Sequence, residues 1–209
     1  FMGFWGWDSW KHAVALARFA PELAKDQVRT MFDYQTPEGM IIDCIYSDAS
    51  ENNARDSKPP LAAWAVDEIY KATGDTAFVK EMYPKLLHYY KWWFTHRDHN
   101  NNGICEFGSC DGTLEAAAWE SGMDNAIRFD NAVMVKNSEG AWSMDQESVD
   151  LNAFLALEHR LLAKLAPVAG AVFDEPDKLA QVQDYFFVSD PGFFFDKRLD
   201  GTSVMEEGT

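Results

Sequence analysis

Apolar residues recur at helical spacing along most of the chain, and this period predicts paired helices. The first is expected to begin near residue 8, with Asp8 or Ser9 as its cap, and the second at Pro21. A third follows Pro59 and Pro60 and is expected to end at Gly74, because glycine commonly closes a helix. Four further segments continue the pattern: a long helix over 76–97, a helix over 149–166, another over 176–187, and a short strand and turn over 191–204.

Two polar stretches, residues 36–58 and 98–114, separate these helices. Connections of that length are usually functional. Helix pairs joined by short turns and separated by long loops predict an all-α fold, part of a toroid with its long loops on one rim. An ordinary helical bundle is an equal alternative on the pattern alone.

The composition narrows the function classes. The net charge of −16 repels phosphate backbones and anionic lipid, so neither nucleic acid nor a membrane surface is an expected partner. The chain begins inside what reads as a structured segment, so its native N-terminus is expected to be missing, and the compartment stays open. Three cysteines lack zinc spacing, although Cys105 and Cys110 could close a small disulfide loop.

The stretch WESGMDN, residues 119–125, places an aromatic ring, a glycine and an acid together. Asp124 could cap a helix, or it could donate a proton to a glycosidic oxygen while Trp119 stacks on a sugar. Proton donation requires a raised pKa, for which Glu120 offers a like charge and Trp119 apolar surface. Gly122 would let a ligand approach the main chain.

A second aromatic group lies in FWGWDSW, where Trp5, Trp7 and Trp10 flank Asp8. Tryptophan faces stack on sugar rings, and a carboxylate can accept hydrogen bonds from their hydroxyls. The same residues could be core tryptophans around a capping acid, and the two interpretations carry equal weight.

The segment NNARDSKPP brings polar groups to the start of the third helix: Asn53, Arg55, Asp56 and Lys58. Arg55 could bind substrate hydroxyls or balance a neighbouring acid, and both alternatives stay open.

The segment DHNNNGICEFGS has the alternating oxygen ligands of a calcium loop, followed by the glycine that its sharp turn needs. A final bidentate glutamate is missing, because Ser109 stands in its place. Glu147, in DQESVDLNAF, could supply that ligand or cap the next helix. An ion-free turn is the alternative. The expected calcium ligands are Asp98, Asn100, Asn102, the carbonyl of Ile104, Glu106 and Glu147.

Four motifs in order, FWGWDSW, DSKPPLAAWA, WESGMD and QESVDLNAFL, resemble family 63 glycoside hydrolases. The bacterial branch of YgjK-like α-glucosidases and mannosylglycerate hydrolases is the most similar. The resemblance covers residues 1–201 and implies an (α/α)6 barrel, of which this chain is about the first half. It also implies a structural calcium ion and inverting hydrolysis of α-linked glucose or a related sugar in oligosaccharides or small glycosides.

Mapped onto this sequence, the resemblance makes Asp124 the general acid. Its substrate-binding residues are Trp5, Trp7, Asp8, Lys58, Trp119 and Gly122. Inversion needs a second carboxylate about 6.5–9.5 Å from the acid. The resemblance puts that glutamate in the final third of the barrel, and Glu206 and Glu207 are poor substitutes. The fragment alone is therefore expected to be inactive, and a calcium-stabilised, non-catalytic carbohydrate-binding module is the alternative. A third interpretation, a phosphorylase on a similar barrel, would need phosphate.

Overall fold

A computed structural model describes residues 2–205 of the 209-residue chain. Its helices are α1 Gly6–Leu16, α2 Pro21–Phe32, α3 Ala62–Thr73, α4 Thr76–His96, α5 Leu114–Glu120, α6 Val149–Ala169 and α7 Leu179–Phe186, with 3-10 turns at Ala49–Glu51 and Ile127–Phe129. Its strands are β1 Gly3–Trp5, β2 Cys44–Tyr46, β3 Glu106–Ser109, β4 Met134–Ser138, β5 Ala141–Glu147, β6 Phe187–Val188, β7 Phe193–Phe194 and β8 Lys197–Arg198.

The all-α prediction is wrong, because these strands form three antiparallel sheets. The largest has the order β3-β5-β4, with β8 also paired to β5. β3 lies within the predicted polar loop over 98–114, β4 and β5 lie in a segment for which no element was predicted, and β8 lies within the predicted strand and turn. The central strand β5 buries residues on both faces, Ser143 and Gln146 among them, so its sequence lacks a clear two-residue alternation.

The helices pack against one another around one main core. α1 contacts α2 and α3, while α4 packs against α6. Trp10 of α1 and Trp93 of α4 are completely buried in this core. The predicted start at Pro21 and stop at Gly74 are confirmed, and Gly74 has the left-handed φ of 68° that closes a helix.

A buried ion pair joins the helical layer to the largest sheet. The Arg97 Nε atom donates to Glu120 Oε2 at 2.8 Å, and its Nη2 donates to Glu120 Oε1 at 2.9 Å. The same carboxylate accepts hydrogen bonds from the N–H groups of Ser57 and Gly108. Breaking such a pair by removing one partner costs about 3–5 kcal/mol, so the end of α5 is firmly placed.

Cys105 and Cys110 are free thiols, so the small disulfide loop does not form. Over residues 2–205, none of the helices combines the length and the apolar character needed to cross a membrane.

Candidate functional site

Four of the predicted site residues, Trp5, Lys58, Trp119 and Asp124, line one open cleft. It has a volume of about 320 Å³ and lies between the start of α1, the segment that follows β2 and the end of α5. Its lining residues are Trp5, Asp43, Tyr46, Asn53, Arg55, Lys58, Trp119 and Asp124.

The first wall is set where β1 runs directly into α1. Trp5 lies opposite Cys44 in the β1–β2 pair, and the Gly6 N–H donates to the Asp43 carbonyl at 3.0 Å. The Ser9 hydroxyl donates to the Trp5 carbonyl at 2.6 Å. Because α1 starts at Gly6, the predicted cap at Asp8 or Ser9 is wrong. Asp8 instead lies in the first turn, where the helix dipole favours an acid.

Asp8 faces a neighbouring cavity of about 250 Å³ that shares Trp5 with the cleft. Its carboxylate is 3.9 Å from Lys11 Nζ, and that ammonium lies 3.5 Å from the centre of the Trp7 ring. Of the predicted substrate-binding residues in this part of the chain, Trp5 lines both cavities, Asp8 lines only the neighbouring one, and Trp7 lines neither.

The second wall is the end of α5 and the turn after it, and Gly122 packs this turn against the first wall. It has a φ of 70°, and a Cβ atom there would lie 2.7 Å from Cζ2 of Trp7. Its N–H donates to the Trp119 carbonyl at 3.0 Å. The turn after α5 thus packs its main chain on the Trp7 ring, which a larger residue would prevent.

Asp124 lies after this turn, exposed at the cleft. The next 3-10 turn begins after Ala126 without a side-chain cap, so the capping alternative for Asp124 is not observed. Glu120, expected to act as a like charge, is neutralised by Arg97. Residues 2–205 therefore do not provide the enclosure that the proton-donor argument requires.

Lys58 lies in the cleft floor and contacts both walls. Its ammonium donates to the Trp119 carbonyl and is 3.0 Å from Asp43 Oδ1. Asp56, completely buried, is 3.7 Å from the same nitrogen. Burial raises the pKa of Asp43, and burial together with the Asp43 charge raises the pKa of Asp56 to about 8.

Arg55 balances local acids, which was one of the two alternatives. Its Nε donates to Asp111 Oδ2 at 2.6 Å and its Nη2 to Thr113 Oγ1 at 3.0 Å. The guanidinium lies 5.1 Å from the Trp119 ring centre, so it also supports that side of the cleft.

Asp43 was not among the residues predicted from the sequence. The only local signal was an acid directly after the apolar run Met40, Ile41 and Ile42. Asn53, which was named without a role, donates to both Asp43 and Asp56, at 2.7 and 3.0 Å. Glu206 and Glu207 lie outside the described residues.

The residues of the predicted calcium loop also come together. The Asp98 carboxylate accepts from the N–H groups of Asn102 and Gly103, and Gly103 makes the expected turn at φ 83°. The Asn102 amide donates to Glu147 Oε1 at 2.6 Å, and the Asn100 amide does so at 3.3 Å. Glu147 ends β5 and does not cap α6, whose N-cap is Ser148.

Glu106 and Glu147 face each other across β3 and β5, and both are completely buried. Burial, with a contribution from the Glu147 charge, raises the pKa of Glu106 well above its usual range. Glu106 Oε1 has no hydrogen-bond partner. Within the described part of the chain, no group of three or more His, Cys, Asp and Glu side chains could hold a metal. A cation here needs the asparagine and main-chain oxygens too. An orphaned carboxylate oxygen beside a second buried acid fits a hard cation.

Comparison with known proteins shows which family the chain belongs to. The model of the mannosylglycerate hydrolase MGH1-like glycoside hydrolase domain matches residues 2–207. A mannosylglycerate hydrolase from Thermus thermophilus is 27% identical over 148 residues, covering 60% of this chain and 34% of that protein. Mannosylglycerate hydrolase MGH2 from Selaginella moellendorffii is 25% identical over 149 residues, covering 62% of this chain and 29% of its own length.

Among solved structures, a GH63 mannosylglycerate hydrolase from Thermus thermophilus in complex with glucose is similar over 97% of this chain, with a TM-score of 0.75 and 20% identity. The aligned part is 61% of that protein, and the chain spans about a third of the two curated relatives. The resemblance read from the four motifs is confirmed, and the chain belongs to the MGH1-like glycoside hydrolase domain family, within the family 63 glycoside hydrolases.

Proposed function

We propose that the protein containing this chain hydrolyses small α-linked glycosides, with Asp124 as the proton donor. The observation that carries the proposal is the placement of Asp124, Trp5 and Trp119 around one open cleft of sugar size. Family membership supports the reaction class.

The two walls suggest how a sugar ring is held. Trp5 and Trp119 offer aromatic faces to the apolar C–H surface of the ring, and Trp7 backs the turn that carries Asp124. Asp8, in the adjoining cavity, is an acceptor for ring hydroxyls. Lys58 fixes the Trp119 main chain from below.

The substrate is an α-glucoside or a related α-glycoside. Relatives in Thermus thermophilus and Selaginella moellendorffii are mannosylglycerate hydrolases, so glycosides of glycerate belong to the tested class. Because the chain covers only part of these relatives, contacts to the aglycone are left to the complete protein.

The proposed chemistry is single-displacement inversion. Asp124 donates a proton to the glycosidic oxygen as the bond from that oxygen to the anomeric carbon breaks. A water molecule attacks that carbon from the opposite face and loses its proton to a second carboxylate about 6.5–9.5 Å from Asp124. Asp43 also lines the cleft, but it is buried and ion-paired with Lys58. We therefore assign the second carboxylate to a residue outside 2–205.

We further propose that calcium is structural in this protein. The residues that would hold it are Asp98, Asn100, Asn102, the carbonyl of Ile104, Glu106 and Glu147. Bound there, the ion would neutralise the facing glutamates and tie the loop before β3 to the end of β5, without taking part in the reaction.

The test is turnover by the complete protein on α-glucosides, α-mannosides and α-mannosylglycerate. Asp124→Asn should lower kcat by about 10²–10⁴-fold, because the amide has no proton to donate, while sugar binding is kept. Asp130→Asn, an exposed acid six positions later in the sequence, is the matched control and should retain full activity. Equal activity in both variants would contradict the assignment of Asp124. Turnover that depends on added phosphate would point to a phosphorylase.

A further inference from the structure

Four polar side chains form a connected group beneath the cleft floor: Asp43, Asn53, Asp56 and Lys58, here called the Lys58 cluster. Asp56 is completely buried, while Asp43 and Lys58 are 5% and 7% exposed. Polar groups are rarely buried this deeply unless they are paired, so the cluster is expected to have a role.

The contacts within the cluster are well defined. The Asn53 amide donates to Asp43 Oδ2 at 2.7 Å and to Asp56 Oδ1 at 3.0 Å, so it bridges the two acids. The Lys58 ammonium lies 3.0 Å from Asp43 Oδ1 and 3.7 Å from Asp56 Oδ2. Neither of these two carboxylate oxygens has a hydrogen-bond partner of good geometry.

The charges do not balance if both acids are ionised, since one lysine faces two carboxylates. Other charged groups nearby do not correct this, since Arg55 in the same cleft is paired with Asp111. Glu120, on the α5 side, is already paired with Arg97, and Asp124, on the cleft side, adds negative charge near Asp43. The pKa of Asp56 is raised to about 8, chiefly by its burial and then by the Asp43 charge. A single proton on one of the two acids makes the buried cluster neutral.

The cluster touches both walls of the cleft. Lys58 donates to the carbonyl of Trp119, five residues before Asp124. The main-chain carbonyl of Asp43 accepts from the Gly6 N–H, at the start of the helix that carries Trp7. A shift of Lys58 towards the acids would therefore be felt at the wall that holds the proton donor.

We propose that the Asp43–Asp56 pair is a positioning element that holds a single proton, and that its loss draws Lys58 away from the Trp119 carbonyl and loosens the sugar-binding cleft. This inference rests on the proposed function only in taking the cleft as a sugar site. It adds Asp43 and Asp56 as positioning residues, which act through Lys58 and Trp119.

The test is calorimetric titration of the complete protein with D-glucose between pH 7 and pH 9. Loss of one proton near pH 8 should lower the affinity of the unmodified protein about tenfold over this range. Asp56→Asn cannot lose that proton, so its affinity should stay constant within about twofold. Asp43→Asn should behave in the same way, and it serves if Asp56→Asn does not fold.

Asp67→Asn is the matched control. Asp67 is also completely buried between two lysines, 2.8 Å from Lys71 and 2.6 Å from Lys164, but it lies on α3 and outside the cleft. This variant should lose stability and keep the pH dependence of the unmodified protein, which separates positioning from general destabilisation.

Three results would overturn the inference: a glucose affinity of the unmodified protein that does not change between pH 7 and pH 9, a pH dependence that Asp56→Asn and Asp43→Asn both retain, or no glucose binding at any pH. A pH-dependent affinity that Asp56→Asn removes, found in a protein without turnover, would support the cluster and contradict the hydrolase proposal.

Discussion

Gly122 shows how much of the site depends on a single residue. Its left-handed φ of 70° turns the chain after α5, and its missing side chain lets the turn lie on the Trp7 ring. The motif WESGMDN indicated a close approach at this glycine. It did not indicate that the surface approached is Trp7, because that contact joins residues more than a hundred positions apart.

Gly122→Ala tests this contact. The left-handed backbone alone should cost about 1–2 kcal/mol in the free energy of unfolding, measured by denaturant titration. The new methyl group, 2.7 Å from the ring, should also displace Trp7 and weaken sugar binding. Gly74→Ala is the control. Gly74 has a similar φ of 68°, and a Cβ atom there would have no atom within 4 Å, so this variant should cost the same backbone energy and leave binding unchanged. Unchanged binding in Gly122→Ala would contradict a role for Trp7 in the site.

At the scale of elements, the sequence predicts helices better than strands. Pro21, Gly74 and the apolar stripe of α6 mark local events, so a local pattern reveals them. The strands β3 and β5 are held by pairing partners distant in sequence, and β5 keeps polar residues inside the protein. Asp43 was missed for the same reason, since its partners Asn53 and Lys58 define it only after folding.

The start of α3 is held from another helix. Its first turn has no side-chain cap of its own, and the Glu158 carboxylate of α6 accepts from the N–H groups of Ala63 and Trp64 at 2.7 and 3.0 Å. Burial raises the pKa of Glu158 to about 7. An acid with a raised folded-state pKa contributes stability that is lost as pH rises from its unfolded pKa to its folded pKa.

The unfolding free energy should therefore fall between about pH 4.5 and 7, by up to about 1.4 kcal/mol per pH unit from this group. Glu158→Gln should remove that part of the slope in a series of denaturant titrations. Glu139→Gln, whose side chain is 96% exposed, should leave the slope unchanged. A slope that persists in Glu158→Gln would assign the pH dependence to other groups.

A second prediction concerns the proposed calcium site between the largest sheet and the loop before β3. Chelation of calcium should lower the melting temperature of the complete protein, because an ion that binds only the folded state stabilises it. Glu106→Gln removes one facing carboxylate and should abolish the response to the chelator. A melting curve that chelation leaves unchanged in the unmodified protein would count against a bound ion.

For the whole molecule, the family is shown by the comparison, and the reaction is proposed. The chain matches the glycoside hydrolase domain over residues 2–207, yet it spans 29% and 34% of two curated relatives. The motifs predicted the family, and the fold places Trp5, Trp119 and Asp124 from two of these motifs in one cleft. The proposed inverting mechanism adds a second carboxylate outside the described residues, and the stereochemistry of the product depends on both acids.

The most direct test is therefore to follow hydrolysis of α-glycosides by the complete protein with NMR and to identify the anomer released first. Inversion with Asp124 as the proton donor predicts the β-anomer, which then mutarotates to the equilibrium mixture. Initial release of the α-anomer would mean retention and would contradict the proposed inverting mechanism.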